Sequence, residues 1–370
     1  MAKNIFIAAT GQNCGKTTTS LCLMHCALKK YGRVGFIKPL GPKPATFRGR
    51  TVDKDPALIA QVFGLSRDLR WMSPVVVYPD TTRKVVDGEI SPLELQERIA
   101  KAYAELEKRC DFIIIEGSGH PGVGSVMKVS NARIARMLKA PVLMVTGGGL
   151  GNVVDKVSMS LALFEKEGVE VRALLANKLI PEKRERTLDY LKRALSDEAL
   201  TVIAGVDYNP VLANPTLRRV SKLLGLPLHG NQREAGRIIY NVQIGAASTQ
   251  RVTELIQEPS LLIVTSSRDE LLVTLANLYK VPTYRSRIVG LLIPGIAPIS
   301  TITQMILDQS KIPYMRTEEH TTTELYRIIT EDVSKITAAD TEKLDLIRCL
   351  AETHIDFNHL DRLFSETQLH

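Results

Sequence analysis

Apolar and polar positions follow two periods along the chain. Ile5 to Ala9 is a short unbroken apolar run, as in a buried strand, whereas Lys16 to Tyr31 repeats apolar residues at helical spacing through Leu21, Met24, Cys26 and Leu28. Arg33 to Lys38 predicts a second strand. Ser91 and Pro92 supply a cap and a first-position proline for a helix whose one face carries Leu95, Ile99, Ala102 and Leu106. Phe112 to Ile115, Val142 to Val145 and Val171 to Ala176 read as further strands separated by helical stretches. This alternation predicts an α/β fold, a parallel sheet with helices on both faces.

Near Asp207 to Pro215 the pattern breaks into a turn-rich stretch containing Tyr208, Asn209, Pro210, Asn214 and Pro215, followed by a helix from Thr216 to Leu224. Beyond it, Leu261 to Thr265 and Ile288 to Ile293 read as strands, and Asp269 to Tyr279 and Thr301 to Ser310 as helices, so a second, smaller α/β unit is expected. Leu344 to Phe364 reads as a largely polar helical stretch that would pack on the body or meet a partner. The expected division is residues 1–212, 213–335 and a helical tail 336–370, in keeping with 370 residues at roughly 150 per domain. No fixed-period repeat or low-complexity tract interrupts it.

Composition narrows the function classes. A chain 44% hydrophobic and 24% charged is of ordinary globular type. No apolar run approaches the ~20 residues of a membrane-spanning helix, and the first residues lack a secretory pattern, so a cytoplasmic protein is expected. Five scattered cysteines fit reduced thiols rather than a disulfide framework, with Cys22 and Cys26 as core residues. The formal charge of +8 is uneven: residues 1–215 hold 31 Lys and Arg against 22 Asp and Glu, and residues 216–370 hold 17 against 18. The basic excess is spread singly, and only 5% of residues are aromatic, which argues against nucleic acid and for a phosphate-bearing ligand.

The chemistry concentrates in Thr10-Gly11-Gln12-Asn13-Cys14-Gly15-Lys16-Thr17-Thr18, set between the first strand and the first helix. Backbone N–H groups of Gly11, Asn13, Cys14, Gly15, Lys16, Thr17 and Thr18 at a helix N-terminus would cradle phosphates. Lys16 would reach the terminal phosphates and Thr17 would ligate Mg2+. The residue five before Gly15 is Thr10, where the phosphate-loop motif has glycine. Glu116 ends the strand Phe112 to Ile115 and is the expected second metal ligand, at the edge where ligands of open α/β sheets collect. Asp55 reads either as a further ligand or as the acidic first turn of a helix opened by Pro56. Lys38 closes the second strand at the same edge, either in the site or as a surface lysine. His120, in Gly119-His120-Pro121-Gly122, is a candidate neighbour of the phosphate, or a structural loop histidine.

Together, Gly15-Lys16-Thr17, Lys38-Pro39, Asp55 and Glu116-Gly117 resemble the dethiobiotin synthetase branch of P-loop proteins. Residues 1 to roughly 330 resemble the N-terminal region of long phosphate acetyltransferases, in which a dethiobiotin-synthetase-like domain precedes a DRTGG domain. The resemblance implies a P-loop NTPase sheet followed by a smaller DRTGG-like α/β domain, with ATP and Mg2+ as cofactors. It implies that Thr17, Asp55 and Glu116 hold Mg2+, that Lys16 and Lys38 contact the transferred phosphoryl group or substrate, and that Asn177 and Lys178 face the purine base. The second region departs from its family, reading Ser267-Arg268-Asp269 and later Ile293-Pro294-Gly295, so that Thr-Gly-Gly is absent as such and only Arg268 of the Asp-Arg pair is in place.

Sequences of this kind are also similar to cobyrinic acid a,c-diamide synthase. That activity needs a nucleophilic cysteine on a glycine turn, and the only cysteine past residue 110 is Cys349, in a helical stretch. An acetyltransferase catalytic domain is not expected within these 370 residues. The leading expectation is therefore a Mg·ATP-binding regulatory or sensory module, acting as a homo-oligomer. The alternative is an ATP-dependent ligase or kinase acting on a small carboxylate.

Overall fold

The computed structural model describes residues 2–331 and 336–365. Residues 332–335 and 366–370, which fall within the expected second domain and tail, lie outside the described residues. The strands are β1 (Lys3–Ala9), β2 (Val34–Ile37), β3 (Leu40–Gly41), β4 (Pro44–Phe47), β5 (Arg50–Asp53), β6 (Val75–Val76), β7 (Phe112–Glu116), β8 (Val142–Thr146), β9 (Val171–Ala176) and β10 (Thr201–Ala204), then β11 (Asn241–Ile244), β12 (Ser260–Ile263), β13 (Ile288–Pro294) and β14 (Tyr314–Thr317). The first two helices are α1 (Lys16–Lys30) and α2 (Lys54–Val62). The chain divides into two compact units, one of residues up to Tyr208 together with Leu344 onward, the other of Asn209–Lys343.

The first unit is built on a six-stranded sheet in the order β10-β9-β8-β1-β7-β2, every pair parallel. Strands buried on both faces need apolar residues throughout, which is why Ile5, Phe6 and Ile7 of β1 and Ile113, Ile114 and Ile115 of β7 run without alternation and are fully buried. Phe6, Ile113 and Ile115 face a core completed by Leu95, Ile99, Ala102 and Leu106 of the helix Pro92–Glu107. Phe112 faces the other way, stacked on Tyr31 at the end of α1 and meeting the edge of Phe357. The chain runs from β1 past β7 to β2 on one side and through β8 to β10 on the other. Such a reversal of strand order opens a crevice at the carboxyl ends of the strands, and the loop that joins β1 to α1 lies there.

The C-terminal stretch forms two helices, Thr341–His354 and Phe357–Ser365. Asp356 starts the second by accepting the His359 N–H at 2.9 Å. These helices pack into the first unit: the Cys22 and Cys26 thiols donate to the carbonyls of Ile347 and Ala351, and Tyr31 donates to Asp361 at 2.6 Å.

The second unit is a four-stranded parallel sheet, β11-β12-β13-β14. One face is covered by Leu271, Leu272 and Leu275 of the helix Asp269–Leu278 and Leu307 of the helix Thr301–Ser310, the other by Leu217, Val220, Leu325 and Ile329. Sequence pattern missed β10, β11 and β14 and the antiparallel pair β4 and β5. The exposed and half-buried residues of β4 look like a polar loop because only one side meets the body.

Candidate functional site

Thr10 extends β1 by one rung, its N–H donating to the Val145 carbonyl at 3.1 Å, and its buried hydroxyl lies 3.2 Å from that of Thr146. The motif's missing first glycine is thus a strand residue paired across the sheet. The loop then turns through Asn13 at φ 59° and Gly15 at φ 98° into α1. A Cβ on Gly15 would sit 2.1 Å from the side-chain nitrogen of Asn177, so both backbone conformation and space require glycine. Gly15 caps α1 with no side chain of its own, and the first turn holds no acid. The unpaired N–H groups and the positive end of the helix dipole are therefore left for an anion.

Lys16 crosses this loop. Its ammonium donates to the Gly119 carbonyl at 2.9 Å and to that of Gly11 at 3.4 Å, linking the phosphate loop to the segment after β7. Burial lowers its pKa, with Glu116 opposing the shift. Thr17 donates to Glu116 Oε1 at 3.5 Å, and Ser20, one turn on, donates to Oε2 at 2.6 Å. Thr18 is half-buried in the first turn of α1.

Glu116 is 1% exposed and shares its Oε1 with the ammonium of Lys38 at 3.2 Å. Lys38, 4% exposed, also pairs with Asp55 and with Asp53 Oδ1 at 3.5 Å. Burial opposes charge on Lys38, but Glu116, Asp55 and Asp53 outweigh it and raise the lysine's pKa, so the ammonium stays protonated. Burial raises the pKa of Glu116, partly offset by Lys38. Asp53, fully buried, caps α2 by accepting the Asp55 N–H at 3.0 Å and holds the preceding turn through the Lys43 N–H at 2.8 Å. It thereby aims Asp55 at Lys38.

Asn177 is 3% exposed at the end of β9. Its amide donates to the Cys14 carbonyl at 3.0 Å and its oxygen accepts the Val206 N–H at 3.0 Å, so it braces the phosphate loop against the strand ends. Lys178 is exposed, at φ 56°, with its side-chain stem near Gly15. His120 is exposed and accepts the Gly122 N–H at 3.2 Å. Sequence reading missed Asn131, which is 1% exposed. It accepts the Ser118 N–H at 3.0 Å and donates to the carbonyls of Ser118 and His120, both at 2.7 Å, fixing the loop that receives Lys16.

The structure therefore brings Lys16, Thr17, Lys38, Asp55 and Glu116 together at one sheet edge, with Asn177 behind the loop. Among the described residues, no group of three or more His, Cys, Asp or Glu is arranged to hold a metal by itself. The oxygen donors present fit Mg2+, which takes one or two protein carboxylates and completes its octahedron with phosphate and water. Among the described residues no helix is long and apolar enough to cross a membrane.

The family model described as AAA domain (AAA_26) matches residues 3–216. A phosphate acetyltransferase of Nitratidesulfovibrio vulgaris is 23% identical over 370 residues, covering 97% of this chain and 51% of the relative; one of Synechocystis is 22% identical, covering 79% and 42%. The chain thus spans about half the length of these curated relatives. The ATP-dependent dethiobiotin synthetase BioD of Methanocaldococcus jannaschii is 29% identical over 178 residues, covering 47% of this chain and 78% of its own. Among solved structures, the MinC:MinD cell division complex of Aquifex aeolicus gives a TM-score of 0.36 at 15% identity, covering 57% of this chain and 84% of that one. Apo McdA of Cyanothece gives 0.35 at 12%, covering 55% and 86%. The family match takes in more than half of the chain, and the protein belongs to the AAA domain family, with a P-loop NTPase-like domain related to BioD and to the N-terminal part of phosphate acetyltransferase.

Proposed function

We propose that the first unit binds Mg·ATP in the loop between β1 and α1 and serves as a regulatory, nucleotide-sensing unit, paired with a DRTGG-like second unit. The observation that carries this reading is the acid-free N-terminus of α1, with Lys16 and Thr17 beside Glu116 at the point where the strand order reverses. Thr17, Asp55 and Glu116 would hold Mg2+, which supplies charge neutralisation at the β- and γ-phosphates. Lys16 would trade its contacts with Gly11 and Gly119 for phosphate oxygens. Asn177 keeps the loop in shape from behind, and Lys178, whose stem lies near Gly15, would face the purine base.

The regulatory reading gains support from Lys38. Its ammonium is held among three carboxylates, so contact with a carboxylate substrate would first require its displacement. Steady-state ADP release by the purified chain with Mg·ATP, alone and with a panel of small carboxylates, tests this. We expect a slow basal rate that no member of the panel changes. A rate raised more than about tenfold by one carboxylate would replace this reading with an ATP-dependent ligase or kinase.

A further inference from the structure

The Lys38 ammonium sits where three carboxylates converge: Glu116 Oε1 at 3.2 Å, Asp53 Oδ1 at 3.5 Å, and Asp55 in direct contact. Water does little to screen them, because the side chains of Lys38, Asp53 and Glu116 are 5%, 0% and 1% exposed. Attraction between charges at such distances is several times stronger than it is between surface ions. Two of these acids, Asp55 and Glu116, are the oxygen ligands assigned above to Mg2+, and Thr17 points at the same Glu116 oxygen that Lys38 holds. A divalent cation and an ammonium cannot both occupy such close range of the same oxygens without strong repulsion. A metal ion arriving alone would have to displace Lys38 from Asp55 and Glu116 and leave it buried with Asp53 as its one remaining carboxylate of the three, which is costly.

A metal ion arriving with a nucleotide meets a different balance. The triphosphate brings several negative charges into the same edge, within range of Lys16 and of a displaced Lys38, so that each cation regains anionic oxygen. We infer that Lys38 is an internal counter-ion that excludes free divalent metal from Asp55 and Glu116 and makes metal entry conditional on nucleotide. The site would thus report the nucleotide rather than the ambient Mg2+ concentration. The inference rests on the reading of this edge as a Mg·ATP site and assigns Lys38 a positioning role that neither substrate binding nor catalysis requires.

The test is the binding of Mn2+, followed by loss of the free-ion electron paramagnetic resonance signal, to nucleotide-free wild-type protein and to Lys38→Met. Methionine roughly keeps the length of the side chain and removes its charge, leaving the three carboxylates without this cationic partner. Wild type should bind Mn2+ weakly alone, and with ATP present it should remove more of the free-ion signal than the same ATP removes without protein. Lys38→Met should bind free Mn2+ at least ~10-fold more tightly than wild type, because one adjacent positive charge has gone. Equal free-metal affinity in the two proteins would overturn the inference. Should Lys38→Met fail to fold, the wild-type arm still decides, since free Mn2+ bound as tightly without ATP as with it is incompatible with a lysine barrier. Failure of the nucleotide reading shows separately, as absence of ATP binding, while the comparison of free-metal affinities needs no nucleotide.

Discussion

Gly15 is the residue on which the phosphate loop turns. With φ at 98° and the space for a Cβ taken by the Asn177 amide, Gly15→Ala has to open the loop or push Asn177 off the carbonyl of Cys14 and the N–H of Val206. The strained backbone alone costs on the order of 1–3 kcal/mol. We expect Gly15→Ala to weaken ATP binding more than tenfold in equilibrium titrations while the far-ultraviolet circular dichroism is unchanged; wild-type affinity would mean that the loop tolerates a side chain there. Lys16, Thr17 and Glu116 could be read from the sequence because each lies at a fixed offset from a glycine or a strand end. Ser20 was within reach as well, one turn along the same face of α1 as Thr17. Asp53 and Asn131 were not. Their partners depend on how separate loops meet, and an aspartate or asparagine before a helix looks the same whether it merely caps or also braces a site.

At the level of elements, long apolar strands were legible and marginal ones were not. β1, β7, β8 and β9 are buried on both faces and declare themselves as apolar runs, whereas β4, β11 and β10 are largely half-buried or exposed and carry no such signature. The C-terminal helices were recognisable as helical, but their docking place was not, since it depends on aromatic contacts made more than two hundred residues away. Phe357 meets Phe112 at a centroid distance of 5.8 Å with the rings near perpendicular, and is 8% exposed. Removing it should leave a cavity against β7 and cost about 3 kcal/mol. Trp71, the only tryptophan, lies in the first unit, so its fluorescence during urea unfolding follows that unit. Phe357→Ala should lower the urea midpoint of the Trp71 transition; an unchanged midpoint would show that the helix Phe357–Ser365 contributes little to the first unit.

At the scale of the whole molecule, residues 209–343 are inserted between two parts of the first unit, so the second unit is joined to the first at both ends. Lys343, at its exit, is 1% exposed and donates to the carbonyls of Asn214 and Leu212 near its entry, at 2.6 and 3.4 Å, so entry and exit are fastened side by side. A chain read from one end to the other gives no sign of this return, which explains why the sequence division placed a separate tail after residue 335. Any response of the chain to nucleotide begins at the phosphate loop. Calorimetric titration of ATP with Mg2+ into wild type and Lys16→Ala addresses that beginning directly. Saturable micromolar binding to wild type, reduced by two orders of magnitude or about 2.7 kcal/mol in Lys16→Ala, is the predicted result; equal heats in the two proteins, or no binding to wild type, would contradict it.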